Sequence, residues 1–172
     1  YLQEARTLCG NYEYPSCRFI GVRYGNVMSS RGSVIPIWQS QINQGLTIKV
    51  TDLDMTRFLI SLNHAVDTLL TAIISGEPGE VYIPKLPAAK LGDMANVMAG
   101  DNIKVIGKGP AEKMHETLIT NEEAARTKDC GKYYIITDSV RNRPALVGEY
   151  VSCNCLLERG KLADLFQKEG YI

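Results

Sequence analysis

The sequence lacks an excess of charge of either sign and long apolar runs. Its 19 lysines and arginines balance 19 aspartates and glutamates, so the net charge at neutral pH is zero. Binding to nucleic acid or to an anionic membrane depends on surplus positive charge, so the balance predicts neither partner. No apolar stretch approaches the roughly 20 residues of a membrane-spanning helix. The first residues carry charges at Glu4 and Arg6 instead of the apolar core of a signal peptide.

Paired cysteines are also missing. The 5 cysteines are odd in number and form no C-x-x-C, which argues against a disulfide framework and a zinc ribbon. Reduced thiols in a cytoplasmic protein are therefore the prediction. The two histidines, His64 and His115, do not form H-E-x-x-H, so no metal site is predicted. No Ser-His-Asp or Cys-His set is discernible.

A third absence is the glycine-rich loop G-x-G-x-x-G between a strand and a helix. Dinucleotides bind to such a turn in most folds where strands and helices alternate. The chain by itself is therefore predicted to bind no dinucleotide, although the alternation of its elements indicates the α/β class.

Hydrophobic periodicity and turn residues predict the elements. The predicted helices cover residues 1–8, 34–43, the stretch between Ser61 and Gly76, 91–99, 112–118, 121–127 and 156–168. The predicted strands cover residues 18–24, 47–50, 55–60, 79–84, 103–106 and 133–136. The length of 172 residues fits one domain or part of a larger one.

Several polar residues stand where a ligand would be bound. Asn26 follows a predicted strand, although an asparagine there is also a common turn former. Ser33 precedes a helix, where it can serve as N-cap or help bind an anion at the N–H groups. The Arg57 guanidinium suits a diphosphate, and the alternative is an arginine that covers apolar surface. Glu112 and Glu116 could accept ribose hydroxyls or form a solvated helix face.

Four stretches together resemble one family. They are VRYGNVMSSRGSVIP, TDLDMTRFLISLNHAVDTLL, GEVYIPKLPAAKLGDMA and IKVIGKGPAEKMHETLITNEEAARTKDCGKYYII. Their order and spacing resemble the C-terminal half of bacterial UDP-N-acetylglucosamine 4,6-dehydratases. These enzymes are extended short-chain dehydrogenase/reductases in the capsular-polysaccharide branch.

The resemblance implies the fold and its division. We expect the C-terminal, substrate-binding part of an extended short-chain dehydrogenase/reductase (Rossmann-like) fold, with most of the dinucleotide-binding domain absent. Residues 1–25 would be a remnant of the Rossmann part, 26–138 the UDP-sugar-binding domain, and 139–172 a C-terminal extension. The NAD(P) site and the catalytic groups would lie upstream of Tyr1, so no catalytic residue is predicted within the chain.

The resemblance also implies the binding residues. Asn26 would contact the diphosphate or sugar, Arg57 would clamp the diphosphate, and Glu112 would approach the ribose. Lys108, beside Gly109 where the family's motif has an arginine, could supply a point charge. The wall of the nucleotide pocket and the backbone groups for uracil would come from two further segments: Ser33, Val34, Ile35 and Pro36, and then Thr47, Ile48 and Lys49.

Two functional interpretations follow. The chain is the UDP-N-acetylhexosamine-binding part of an NAD(P)-dependent 4,6-dehydratase or 4-epimerase, a lyase or isomerase for bacterial surface glycans. Alternatively, it is a truncated non-catalytic binding or interaction module that keeps the fold and is inactive alone.

The strand at 18–24 would have lost its neighbours, and exposed strand edges tend to pair with another chain. A homo-oligomer is therefore predicted.

Overall fold

A computed structural model describes residues 16–138 and 145–172. The helix predicted over residues 1–8 lies outside the described residues, as do residues 139–144 of the predicted C-terminal extension. No helix within the described ranges is long and apolar enough to span a membrane.

Short strands and helices alternate along the chain, as the α/β prediction requires. The strands are β1 (Gly21–Val22), β2 (Asn26–Val27), β3 (Ile48–Val50), β4 (Thr56–Ile60), β5 (Val81–Pro84), β6 (Ala88–Lys90), β7 (Ile103–Val105), β8 (Thr117–Ile119), β9 (Thr127–Cys130), β10 (Tyr133–Ile136) and β11 (Tyr150–Val151). The helices are α1 (Val34–Asn43), α2 (Leu62–Ser75), α3 (Leu91–Ala99), α4 (Asn121–Ala124) and α5 (Arg159–Lys168), with a 3₁₀ turn at Ser152–Asn154.

The chain divides into two compact units, each built from separate segments. Among the described residues, the first unit takes 16–24, 63–85, 117–138 and 145–150, and the second takes 25–62, 86–116 and 151–172. The boundaries at residues 25 and 138 that the resemblance implies stay a prediction about domain organisation.

The first unit is organised by a four-stranded sheet in the order β1-β5-β10-β9. β1 runs parallel to β5, and β10 is antiparallel to both β5 and β9. β8 and β11 form a separate pair. The small core of this unit contains Ala72 of α2 with Tyr82 and Ile135 of the sheet. The side chains of Ala65, Thr68 and Ala72 are the buried ones on α2.

The periodicity of α2 predicts that its apolar stripe faces this core, but the stripe is largely exposed. The helix itself is confirmed, but several of its large apolar residues are at least half exposed, and Ile74 is 75% exposed. The exposed set is Leu62, Val66, Leu69, Leu70, Ile73 and Ile74. The small residues form the buried face because they permit close approach to the sheet. Periodicity defines a stripe but does not say which part of it is covered.

The second unit holds the larger core. Its sheets are β2-β4-β6 and the parallel pair β3-β7, with α1, α3 and α5 packed around them. Trp38, Met55, Met94 and Phe166 are almost fully buried in one apolar cluster. A Cβ added at Gly25, between β1 and β2, would lie 2.3 Å from the Cβ of Phe58, so the backbone of β4 approaches this glycine closely.

The helix predicted over residues 112–118 is wrong. The segment forms a turn that ends in β8. Its backbone groups form hydrogen bonds with other segments. The Thr56 N–H donates to the Met114 carbonyl at 2.9 Å. The Ser152 N–H donates to the Glu116 carbonyl at 2.8 Å, and the Glu116 N–H donates to Ser152 Oγ at 2.9 Å. These tertiary hydrogen bonds replace the i to i−4 bonds of a helix. The helix predicted over 121–127 is shorter, because residues from Thr127 onward enter β9.

Candidate functional site

The second unit contains a cavity of about 270 Å³. It lies among β2, the N-terminus of α1, the end of β3, β4 and the start of α3. This size is close to the lower end of small-ligand sites. Apolar side chains such as Trp38, Leu59 and Met94 form part of its wall, and polar groups stand among them.

The structure brings most of the predicted site residues to this cavity. Those that line it are Asn26, Ser33, Val34, Ile35, Lys49, Arg57 and Glu112. Pro36, Thr47, Ile48 and Lys108 do not line it. Ile48 is fully buried in the core, and the Thr47 hydroxyl donates to Asn102 Oδ1 at 2.7 Å. The ligand-binding roles of all these residues stay predictions.

The N-terminus of α1 opens onto the cavity. Ser33 occupies the N-cap position with extended backbone (φ −75°, ψ 163°), but its hydroxyl makes no capping hydrogen bond. Its Oγ is buried and has no hydrogen-bond partner within the described part of the chain. The hydroxyl of the nearby Ser29 lies 2.8 Å from the Tyr171 hydroxyl. A buried hydroxyl beside the N–H groups of Val34 and Ile35 is suited to an anionic ligand.

Arg57 brings a positive charge to the cavity wall, which Lys49 also lines. Arg57 lies on β4, and its side chain is 17% exposed. Nη1 donates to the Thr56 carbonyl at 2.8 Å, and Nε lies 3.7 Å from Glu116 Oε1. Nη1 also lies 3.4 Å from the Met114 carbonyl, and Nη2 lies 3.6 Å from Met55 Sδ. Of the five N–H donors of the guanidinium, one on Nη2 is left without a partner among these contacts.

Asn26 and Arg57 share one carboxylate. The Asn26 amide is assigned with its nitrogen toward Glu116, since the opposite orientation would set an amide oxygen against two carboxylate oxygens. Nδ2 then lies 2.9 Å from both Oε1 and Oε2. Burial raises the pKa of Glu116, and the Arg57 guanidinium and the Phe58 N–H offset only part of this effect. Glu116 itself does not line the cavity.

At β3 the backbone groups are already used. The Trp38 indole N–H donates to the Lys49 carbonyl at 2.8 Å, and the Lys49 N–H donates to Gln41 Oε1 at 3.2 Å. A uracil bound along this strand would have to share or displace these bonds at Lys49. The sequence contained no signal for them, because they join positions 8 to 11 residues apart through side chains whose direction is set by packing.

Glu112 lies at the rim, on the loop after β7. Its Oε2 accepts the Gly109 N–H at 2.8 Å, so the carboxylate folds back over its own loop. In the described ranges no group of three or more His, Cys, Asp or Glu residues is placed to hold a metal ion. A helix N-terminus, a hydroxyl and a guanidinium are groups that can bind an anion, and all three line the described cavity.

Comparison with known proteins gives the wider context. The profile of a family described as polysaccharide biosynthesis protein matches residues 2–138. A UDP-glucose 4-epimerase from Rickettsia bellii is 42% identical over 123 residues, 69% of this chain and 36% of that protein. An inverting UDP-N-acetylglucosamine 4,6-dehydratase from Campylobacter jejuni is 37% identical over 139 residues, 80% of this chain and 41% of that enzyme. The chain thus spans well under half the length of these relatives.

Solved structures agree on the fold. Pen from Bacillus thuringiensis matches 98% of this chain and 55% of its own with a TM-score of 0.89 at 34% identity. The dTDP-glucose 4,6-dehydratase from Bacillus anthracis, solved in complex with NAD, matches 62% of this chain and 37% of its own with a TM-score of 0.51 at 15% identity, which speaks for the fold alone. The predicted resemblance and the prediction of part of an extended short-chain dehydrogenase/reductase fold are confirmed.

Proposed function

Because the chain belongs to the polysaccharide biosynthesis protein family, we propose that it binds a UDP-N-acetylhexosamine in the cavity of its second unit. It would be the nucleotide-sugar-binding part of a 4,6-dehydratase or 4-epimerase for bacterial surface glycans. The observation that carries the proposal is the meeting of the α1 N-terminus, the buried Ser33 hydroxyl and Arg57 around one cavity. These groups complement a diphosphate, whose oxygens accept hydrogen bonds and carry negative charge.

Apolar surface supports the same assignment. Val34, Ile35, Trp38 and Leu91 form walls against which a flat base or a sugar ring could pack. A site with apolar walls and a few convergent polar groups is typical of small-molecule recognition. The dehydratase and the epimerase among the relatives act on UDP-sugars by their names, which favours this ligand class over other diphosphates.

The described residues do not fit a dinucleotide. A single residue, Ser61, separates β4 from α2, and a single residue, Thr120, separates β8 from α4. Strand β6 continues directly into α3. The β2–α1 connection is longer and holds the single glycine Gly32, and the connection from β11 to α5 contains the 3₁₀ turn and no glycine. NAD(P) would be bound by a complete enzyme of this kind, and none of the residues described above would hold it. This observation favours the second candidate, a binding module without chemistry of its own.

Calorimetric titration with UDP and UDP-N-acetylglucosamine tests the site. Arg57→Ala should raise the dissociation constant about ten- to a hundredfold, the loss expected for hydrogen bonds to a charged group. Arg159→Ala removes the same charge from an exposed position of α5 in the same unit and should leave binding unchanged. If the unmodified chain binds neither ligand, or if both variants behave alike, the proposal is wrong.

Self-association is a further part of the proposal. The apolar residues of α2 are exposed, and β1 lies at the edge of its sheet among the described strands. Covering the α2 face with a second copy would remove this apolar surface from water. Sedimentation equilibrium should give a dimer or larger species for the chain and for Asn63→Lys, and a shift toward monomer for Ile74→Lys. A monomeric unmodified chain contradicts this part alone.

A further inference from the structure

We propose that Glu116 is a positioning residue of this site: its carboxylate fixes the Asn26 amide and the Arg57 guanidinium together in the orientations from which they reach a ligand. The inference rests on the proposed nucleotide-sugar site and names what sets the geometry of two of its polar groups.

The contacts of the carboxylate support a role exerted through other residues. Both oxygens of Glu116 accept from Asn26 Nδ2 at 2.9 Å. Oε1 also faces Arg57 Nε at 3.7 Å, and Oε2 accepts the Phe58 N–H at 3.4 Å. Asn26 and Arg57 line the cavity, whereas Glu116 stands behind them. A single carboxylate therefore contacts two polar side chains of the cavity wall, and the Thr56 and Met114 carbonyls hold Arg57 in addition.

Glu116 is itself held firmly. Its N–H donates to Ser152 Oγ at 2.9 Å, and its carbonyl accepts the Ser152 N–H at 2.8 Å. Ser152 is fully buried, and its hydroxyl lies 2.6 Å from the Thr56 hydroxyl of β4. The backbone that carries the carboxylate is thus anchored to the strand that carries Arg57. Such support from behind gives a binding group its precision.

Ionisation of Glu116 controls both contacts at once. The charged carboxylate can accept on both oxygens, but the protonated acid has one O–H that donates and no charge for Arg57. Burial raises the pKa of Glu116 above the ordinary 4.5 for a glutamate, with Arg57, the Phe58 N–H and Lys113 as partial offsets. Other charged or titratable side chains of the adjoining segments are Glu112, His115, Lys90 with its partner Asp54, Cys153 and Cys155.

The first test needs no ligand. In ¹⁵N–¹H spectra, the side-chain amide signals of Asn26, assigned by their loss in Asn26→Ser, should move as the pH is lowered from 7 toward 4.5. Glu116→Gln should abolish this movement. Glu158→Gln, which removes a charge at an exposed site of the same unit, and His115→Gln should preserve it. Asn26 signals that do not titrate in the unmodified chain overturn the inference whether or not a ligand binds.

The second test is a double-mutant cycle with UDP-N-acetylglucosamine, whose diphosphate has no terminal phosphate monoester to titrate in this range. Glu116→Gln should weaken binding at pH 7 about tenfold, the loss of one hydrogen bond to a charged group. In an Arg57→Ala background the same substitution should have a clearly smaller effect, because Glu116 acts through Arg57 and Asn26. The unmodified chain should lose affinity as the pH falls, and Glu116→Gln should not.

The outcomes separate the two ideas. Full additivity of Glu116→Gln and Arg57→Ala, or stronger binding by Glu116→Gln, overturns the positioning role. A chain that binds no nucleotide sugar overturns the proposed function, and the spectral titration then decides the inference by itself.

Discussion

Replacing Ser33 by alanine should separate stability from binding, because its hydroxyl stands in the N-cap position without capping. In most proteins an N-cap Ser→Ala substitution costs about 1 kcal/mol of stability, through the loss of a side-chain bond to the first turn. Here no such bond exists, and Oγ is buried without a partner in the described residues. A buried, unsatisfied polar group costs about 1–3 kcal/mol. Ser33→Ala should therefore be as stable as the unmodified chain, or more stable by up to this amount.

The effect on ligand binding should have the opposite sign. If the hydroxyl donates to a phosphate oxygen, its loss removes a hydrogen bond to a charged group, worth about 1.5–3 kcal/mol. The dissociation constant for UDP-N-acetylglucosamine should rise about ten- to a hundredfold. One substitution would thus strengthen the fold and weaken the site.

Urea unfolding followed by far-ultraviolet circular dichroism measures the first effect and calorimetry the second. With a denaturant dependence of about 1–3 kcal/mol per molar, a gain of 1 kcal/mol moves the midpoint upward by about 0.3–1 M. Ser40→Ala, on the exposed side of the same helix, is the matched control and should change neither quantity much. A loss of 1 kcal/mol or more in Ser33→Ala, or unchanged affinity, would refute the reasoning.

Two further predictions concern the fold. Gly25→Ala should destabilise the chain by about 3 kcal/mol, the upper range for overpacking, because the new Cβ meets the backbone and Cβ of Phe58 at 2.3–3.0 Å. A Cβ at Gly160 meets open space, so Gly160→Ala should stabilise α5 by about 0.5–1 kcal/mol. The same urea assay measures both effects. Burial raises the pKa of Glu123, but hydrogen bonds from Arg23 and its own capping box outweigh this, so the pKa is lowered overall. The stability that this pair contributes is present above the ordinary glutamate range and is lost as the pH falls through the lowered pKa. Glu123→Gln should remove that acid-side loss and cost about 1–3 kcal/mol at pH 7, and an unchanged pH profile would contradict the prediction.

Helix prediction succeeded where local signals were sufficient. α1 and α3 have the predicted bounds because each combines an amphipathic pattern with a serine, proline or glycine at its ends. Residues 112–118 have the composition of a helix, yet their hydrogen bonds go to β4 and to Ser152, which is more than 30 residues away. Strand β6 was missed because Ala88–Lys90 contains no β-branched residue, and its pairing with β4 supplies what its composition lacks.

The residues of the site also differ in whether the sequence alone could indicate them. Asn26, Ser33 and Arg57 could be proposed from residue type and position, and the fold places all three at one cavity. For Glu116 the sequence indicated only a ribose contact or a solvated helix face, because its hydrogen bond with Asn26 joins residues that are 90 positions apart. The contribution of Trp38 was hidden for another reason: a tryptophan within an amphipathic helix is expected in the core, and here it is both core and cavity wall.

Trp38 is also the only tryptophan of the chain. Its indole lies in the wall of the cavity, and the ring nitrogen donates to the Lys49 carbonyl. Indole emission responds to the polarity and hydrogen bonding of its surroundings, so the protein carries one intrinsic optical reporter at the place where a ligand would enter. Occupancy of the cavity can therefore be followed by light emission from the unlabelled chain, without a signal from any other tryptophan.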